Sequence, residues 1–168
     1  MRHSLLLSAI LTVAVLIAGA SWVAHTAAQS ATPPTGADTA KVEVLTLVEH
    51  NDHTTDVDVG DSGPSTGDLR VWGPNPLFDE GNVSDTGATT QGSCVALNAS
   101  FACVLVETMV FSDGSTLQFQ GVEQGGATPS MRTIVGGSGA YLGATGTASV
   151  APTDDFALWT RTIEIVRP

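Results

Sequence analysis

Two glutamates in this chain stand where a carboxylate could do chemistry. Over residues 41–49 the side chains alternate: Val42, Val44, Thr46 and Val48 fall on one face, Glu43, Leu45, Leu47 and Glu49 on the other. That period of two marks a strand and puts Glu49 on the same face as two leucines. If this face lies inside the fold, Glu49 is a carboxylate in a dry site, able to steer developing positive charge and hold a water. If it lies at the rim, Glu49 meets solvent. Glu107 is the second. It shares a face with Cys103, Leu105, Met109 and Phe111, while Val104, Val106, Thr108 and Val110 form the other. A buried carboxyl there has a raised pKa and can act as an acid, unless Arg70, Arg132 or Arg161 pairs with it. Because both faces of this strand are apolar, one is expected against an interior and the other against a partner subunit.

The elements that must position these groups are strands. Residues 68–72, 86–97, 101–111, 116–122, 132–150 and 156–166 supply further β-prone runs, the first ended by Gly73-Pro74. Ser112-Asp113-Gly114 has the composition of a hairpin turn. The polar stretch 51–67 reads as a long loop, a length usually reserved for function or mobility. No segment carries a helical stripe. Between Val135 and Thr147 five glycines fall within eleven residues, the kind of kink a sheet needs to curl at a corner. The expected fold is all-β, a small closed antiparallel barrel of about eight strands. Such a barrel either fills with side chains or encloses one ligand.

Arg2 and His3 precede an apolar run over residues 5–20, followed by small residues through Thr26-Ala27-Ala28. This order reads as a secretory signal peptide over 1–28, with Ala31 as the next cleavage point and a retained N-terminal anchor as the alternative. Residues 29–40, rich in Ala, Thr and Pro, read as a flexible tether, and 41–168 as one barrel domain. Cys94 and Cys103 are the only cysteines. In an exported chain, nine positions apart and with the turn-prone Asn98-Ala99-Ser100 between them, they read as one disulfide stapling a hairpin. The chain holds 17 acidic and 6 basic residues, a net charge of −11, which makes nucleic acid and anionic lipid poor partners.

Several motifs point elsewhere and fail on chemistry. Gly60-Asp61-Ser62-Gly63-Pro64 has the look of a serine-nucleophile loop, but the histidines left to serve as base, His50 and His53, both lie just upstream of it. His50, Asp52, His53, Asp56, Asp58 and Asp61 could gather around a cation, yet the spacing misses a calcium loop and a solvated acidic loop is the simpler expectation, so no metal is expected. Gly137-x-Gly139-x-x-x-Gly143 lacks the helix and the lysine of a phosphate loop, and no cofactor is expected.

Four blocks, in order, carry a resemblance. Gly67-Asp68-Leu69 with Asn75-Pro76-Leu77-Phe78, Gly92-Ser93-Cys94, Phe111-Ser112-Asp113-Gly114 with Gln120-Gly121, and the glycine-rich run Val135–Gly146 together resemble the allene oxide cyclase and dirigent barrel superfamily. The resemblance spans about Val42 to Val166. It implies an eight-stranded barrel, often trimeric, with an apolar cavity for a lipophilic small molecule. In the cyclases that molecule is an unstable epoxy fatty acid guided to a chiral cyclopentenone, with a glutamate at the cavity base and an asparagine that helps hold a water. Glu49-His50-Asn51 resembles that Glu-x-Asn, so Glu49, Asn51 and Glu107 are the candidate catalytic residues, and Leu47, Leu105, Met109 and Tyr141 the candidate ligand-facing ones. The cyclases' Ser-Pro pair has its nearest counterpart in Ser62-Gly63-Pro64, behind a longer loop. Dirigent proteins carry Ala-Arg-Gly in the glycine-rich block, where this chain has Ala144-Thr145-Gly146. The expected function is therefore an exported barrel that binds a lipophilic molecule and directs its cyclisation or isomerisation; the alternative is a carrier or dirigent-like guide without catalysis of its own.

Overall fold

The structure, a computed structural model, describes residues 40–168. The leader and nearly all of the tether lie outside the described residues. The described part holds nine strands: β1 (Lys41–His50), β2 (Thr54–Val57), β3 (Leu69–Asp79), β4 (Asp85–Ala96), β5 (Cys103–Val110), β6 (Thr116–Glu123), β7 (Ser130–Ser138), β8 (Thr145–Pro152) and β9 (Leu158–Arg167). A single 3-10 turn, Gly139–Tyr141, is the only helical element among the described residues. All pairings are antiparallel, in the order β1-β9-β8-β7-β6-β5-β4-β3-β2, and β1 also pairs with β3. That last pairing closes β1 and β3–β9 into an eight-stranded barrel, as the alternating pattern predicts.

The closure is short, because β3 divides its partners. Its end, Leu77–Asp79, pairs with Leu47–Glu49 of β1, while its beginning, Leu69–Trp72, pairs with β2. The sequence reading differs here in two ways. The stretch 51–67 is not all loop, since Thr54–Val57 adds a strand to the edge of β3. Nor does Gly73-Pro74 end a strand: β3 runs on to Asp79 through a cis Gly73–Pro74 bond, with a register shift against β4 between Trp72 and Asn75. A proline at a bulge leaves no ladder donor unpaired, so it does not have to stop the strand. Gly73 (φ 88°) is required at this bulge, because a Cβ would lie 2.3 Å from the Thr90 carbonyl oxygen. Gly146 is required at the glycine-rich corner for the same reason: a Cβ would meet the Glu164 carbonyl oxygen across the β8–β9 pair.

Because alternate residues point inward, each strand can be read as a ladder down the lumen, stepping about 6–7 Å per inward residue. On β9 the steps are Ile165, Ile163, Arg161, Trp159; on β5 they are Met109, Glu107, Leu105, Cys103; on β1, Leu47 then Glu49. In register Leu47 pairs with Arg161, Glu49 with Trp159 and Glu107 with Phe119, so the layers of the lumen run obliquely across the staggered strands. One end is an apolar plug built on Leu47, Leu77, Met109, Leu117, Ile163 and Ile165. A polar layer follows, and beyond it a smaller apolar group of Cys94, Cys103 and Leu105 with Trp72 and Phe101 against it. The plug supplies most of the burial that holds the barrel shut.

Candidate functional site

The polar layer is an ion-pair chain laid across the lumen. Arg161 gives its Nε to Glu49 Oε2 at 2.9 Å, with Nη2 on the same oxygen, and its Nη1 donates to Glu107 Oε1. Glu107 Oε2 accepts from Arg132 Nη1, and Arg132 Nη2 reaches Glu123 Oε2 at 2.8 Å. The order is thus Glu49–Arg161–Glu107–Arg132–Glu123, alternating in charge, on β1, β9, β5, β7 and β6. All five are buried. Buried charges are tolerated only when paired and hydrogen-bonded, and neutral groups extend the network: Thr90 Oγ1 donates to Glu107 Oε1 at 2.6 Å and Ser130 Oγ to Glu123 Oε1 at 2.9 Å, while Arg132 Nε is buried without a partner.

Glu49 sits inside the barrel rather than at its rim, 3 % exposed. Its second oxygen accepts from Asn75 Nδ2 at 2.7 Å. Asn75, fully buried, also donates to Asn51 Oδ1 at 3.3 Å and accepts from the His53 backbone N–H at 2.8 Å. It therefore ties the end of β1 and the start of the β2 loop to the carboxylate. Asn51 in turn donates to the Phe156 carbonyl at 3.1 Å, fixing the β8–β9 turn.

Above this layer lies a cavity of about 310 Å³. Glu49, Arg132 and Arg161 form its floor, with Glu123 beside them, and Trp72, Leu105 and the Cys94–Cys103 disulfide form its wall. Asn51, Arg70, Phe101, Phe156 and Trp159 stand around its mouth. The hairpin that carries Phe101 is stapled by the disulfide and shaped by Asn98, whose Oδ1 accepts from the Ser100 and Ala102 N–H groups. Arg70 is held by Asp56 through two hydrogen bonds, 2.6 and 2.8 Å, and its guanidinium lies 4.2 Å from the Phe101 ring centre.

The candidate residues from the sequence thus separate. Glu49, Asn51 and Leu105 line the cavity, together with both cysteines of the disulfide. Glu107 sits behind the floor as the bridge between the two arginines, two of the three partners its strand pattern allowed for. Leu47 and Met109 belong to the plug. Tyr141 closes the plugged end, its ring 4.4 Å from Phe111 and Arg167 beyond it. Asn75 and Glu123 are site residues that pattern reading missed. Asn75 follows the bulge, where alternation breaks, and Glu123 is the last residue of β6, one beyond the end its pattern gives. Among the described residues no three His, Cys, Asp or Glu side chains converge as they would on a metal ion.

Electrostatics differ across the site. Burial, opposed by the Ser130 hydrogen bond and then by the charges of Arg161 and Arg70, raises the Glu123 carboxyl above its ordinary value. Burial, then the neighbouring Arg161, pulls the Arg132 guanidinium the other way. At the mouth, the Arg70 hydrogen bond holds the Asp56 carboxyl below its ordinary value. Asp68, which accepts from the Val59 and Ser65 N–H groups at 2.9 and 2.7 Å, is lowered by those two bonds. It anchors the loop between β2 and β3, which accounts for the aspartate of the Gly67-Asp68-Leu69 block.

The comparisons agree with this architecture. The family model described as Dirigent-like protein matches residues 46–165. Among solved structures, a pterocarpan synthase dirigent protein is 25% identical with a TM-score of 0.65, the match covering 84% of this chain and 98% of that one. A pyocyanin demethylase is 19% identical (TM-score 0.64; 73% of this chain, 99% of that one). A nonspecific heme-binding cyclase that catalyses a [4 + 2] cycloaddition in neoabyssomicin biosynthesis is 21% identical (TM-score 0.61; 79% and 69%). The search of curated proteins gives no match.

Proposed function

The chain belongs to the Dirigent-like protein family, and from that premise we propose that it is an exported barrel whose cavity binds a small lipophilic molecule and steers its cyclisation or isomerisation. The observation that carries this reading is the cavity itself: apolar and aromatic walls over a floor in which Glu49 is held rigidly by Asn75 and Arg161. A fixed carboxylate in a dry site stabilises positive charge that develops beside it, at no reorganisation cost. The walls restrict the ligand to one conformer, which is how a site without a nucleophile sets stereochemistry. In this reading Glu49 is the steering group, Asn51 positions it through Asn75, and Leu105 contacts the ligand. Residues 1–28 direct export, 29–40 form a tether, and the disulfide suits an oxidising compartment.

A second reading, a carrier or stereochemical guide that binds without catalysing, is favoured by one observation. Both oxygens of Glu49 are already engaged by the protein's own donors. Chiral chromatography separates the two readings. An unsaturated fatty-acid allene oxide, as its methyl ester so that no second carboxylate is introduced, is generated beside the protein. One cyclopentenone enantiomer, turned racemic by Glu49→Gln, is the expected result. A racemic product equal to the protein-free control would leave the carrier reading in place.

A further inference from the structure

Among the described residues, three buried side-chain nitrogens have no hydrogen-bond partner: Trp72 Nε1, Arg132 Nε and Arg167 Nε. The first two belong to residues that line the cavity. Folded proteins pair nearly all of their buried polar groups, so an orphaned donor in a cavity wall points to an acceptor that enters from outside. The groups around these two are engaged. Arg161 uses all three of its nitrogens, and both oxygens of Glu49 and of Glu123 accept. The other indole of the lining, Trp159, donates to the Phe156 carbonyl at 3.2 Å. The buried polar atoms of the lining that lack a partner are thus both donors.

Two glycines set where these donors lie. Across the sheet Trp72 pairs with Gly92, and Gly92 with Glu107. A Cβ on Gly92 would come within 2.6 Å of Trp72 Cζ2, so the indole lies over Gly92, next to β5. From the other side Arg132 pairs with Gly121, and Gly121 with Leu105. A Cβ there would meet Arg132 Cα and Cγ at 3.2 and 3.4 Å, and the guanidinium runs on to Glu107. Both side chains therefore lean toward Glu107 of β5 from opposite sides. Resting on the ligand-binding reading above, we propose that Trp72 Nε1 and Arg132 Nε are the specificity-determining donors of the cavity, and that its ligand is a neutral lipophilic molecule bearing carbonyl oxygen that accepts from them. The acceptor is neutral because both terminal nitrogens of Arg132 already face carboxylates, Glu107 and Glu123, beside which a further anion would stand. A plain hydrocarbon of the same shape leaves the donors unpaired, and a site built to hydrogen-bond its ligand discriminates against such an analogue.

Three probes of one shape test this by calorimetry at neutral pH: the ketone 2-acetylnaphthalene, its hydrocarbon isostere 2-isopropenylnaphthalene, and anionic 2-naphthoate. Each is titrated into the purified protein and into Trp72→Phe, which keeps a ring and loses the N–H. The ketone-to-hydrocarbon affinity ratio is expected to fall about tenfold in Trp72→Phe, and naphthoate to be the weakest binder of the unaltered protein. Nuclear magnetic resonance of the isotope-labelled protein gives a second readout that needs no variant to fold. The ketone is expected to move the Trp72 indole and Arg132 Nε–H resonances further downfield than the hydrocarbon does. A ratio unmoved by Trp72→Phe, or resonances that answer ketone and hydrocarbon alike, overturns the donor assignment while leaving the cavity in place. Tightest binding of naphthoate overturns the preference for a neutral acceptor. Binding of none of the three overturns the ligand-site reading as well.

Discussion

Arg161 on β9 donates to Glu107 on β5, and these strands stand on opposite walls of the barrel, four places apart in its ring of eight. The pair bridges the lumen. It separates a packed apolar end from a cavity, so one side-chain layer both braces the barrel and provides the floor of the site.

Glu107 holds both buried arginines, so its loss strands two charges. Glu107→Gln is expected to destabilise by about 3–5 kcal/mol, the usual result of removing one partner from a buried pair. Urea unfolding checks this. Glu49→Gln, which leaves Arg161 with Glu107, should cost clearly less.

Two of the perturbed carboxyls, Asp68 and Glu123, predict opposite pH behaviour. The folded-state pKa of Asp68 is depressed, so its stabilisation is complete above the unfolded value and is lost as pH falls through the folded one. Glu123 is raised, so its contribution is complete below the unfolded value and is lost as pH rises through the folded one. Unfolding free energies across acidic pH should therefore lose part of the low-pH decline in Asp68→Asn. In Glu123→Gln they should lose part of the decline on the neutral side. A profile unchanged by both substitutions would contradict the assignment.

The Cys94–Cys103 bridge closes a short loop that carries Phe101 at the cavity mouth. Replacing both cysteines by serine should cost about 2–3 kcal/mol and leave the barrel folded. Tm and far-ultraviolet circular dichroism measure the two effects separately.

Much of this was legible in the residues. Alternation over β1 and β5 placed Glu49 and Glu107 on apolar faces, and the glycine-rich corner announced a closed sheet. Two things were hidden for physical reasons. Where the chain bulges at Gly73-Pro74 the period of two breaks, so neither the continuation of β3 nor the inward turn of Asn75 could be read from spacing. How deep a residue sits in the lumen depends on strand stagger, which single-strand patterns do not contain. Leu47 and Leu105 look alike in sequence, yet the first lies in the plug and the second lines the cavity.

The outward residues of β5, Val104 and Val106, are about half exposed, as are Val95, Met131 and Val135 on nearby strands. This is the outer apolar face the alternation of β5 indicated, and it should be covered by further copies of the chain. Sedimentation is expected to show an oligomer that Val106→Lys dissociates; a wild-type monomer would reject this.

The central claim, that the space above the ion-pair floor is a ligand site, is tested most directly by titrating the protein with the neutral fluorophore N-phenyl-1-naphthylamine. One probe per chain with enhanced emission, abolished by Leu105→Trp at unchanged Tm, is the predicted result. No enhancement, or enhancement equal in Leu105→Trp, would contradict it.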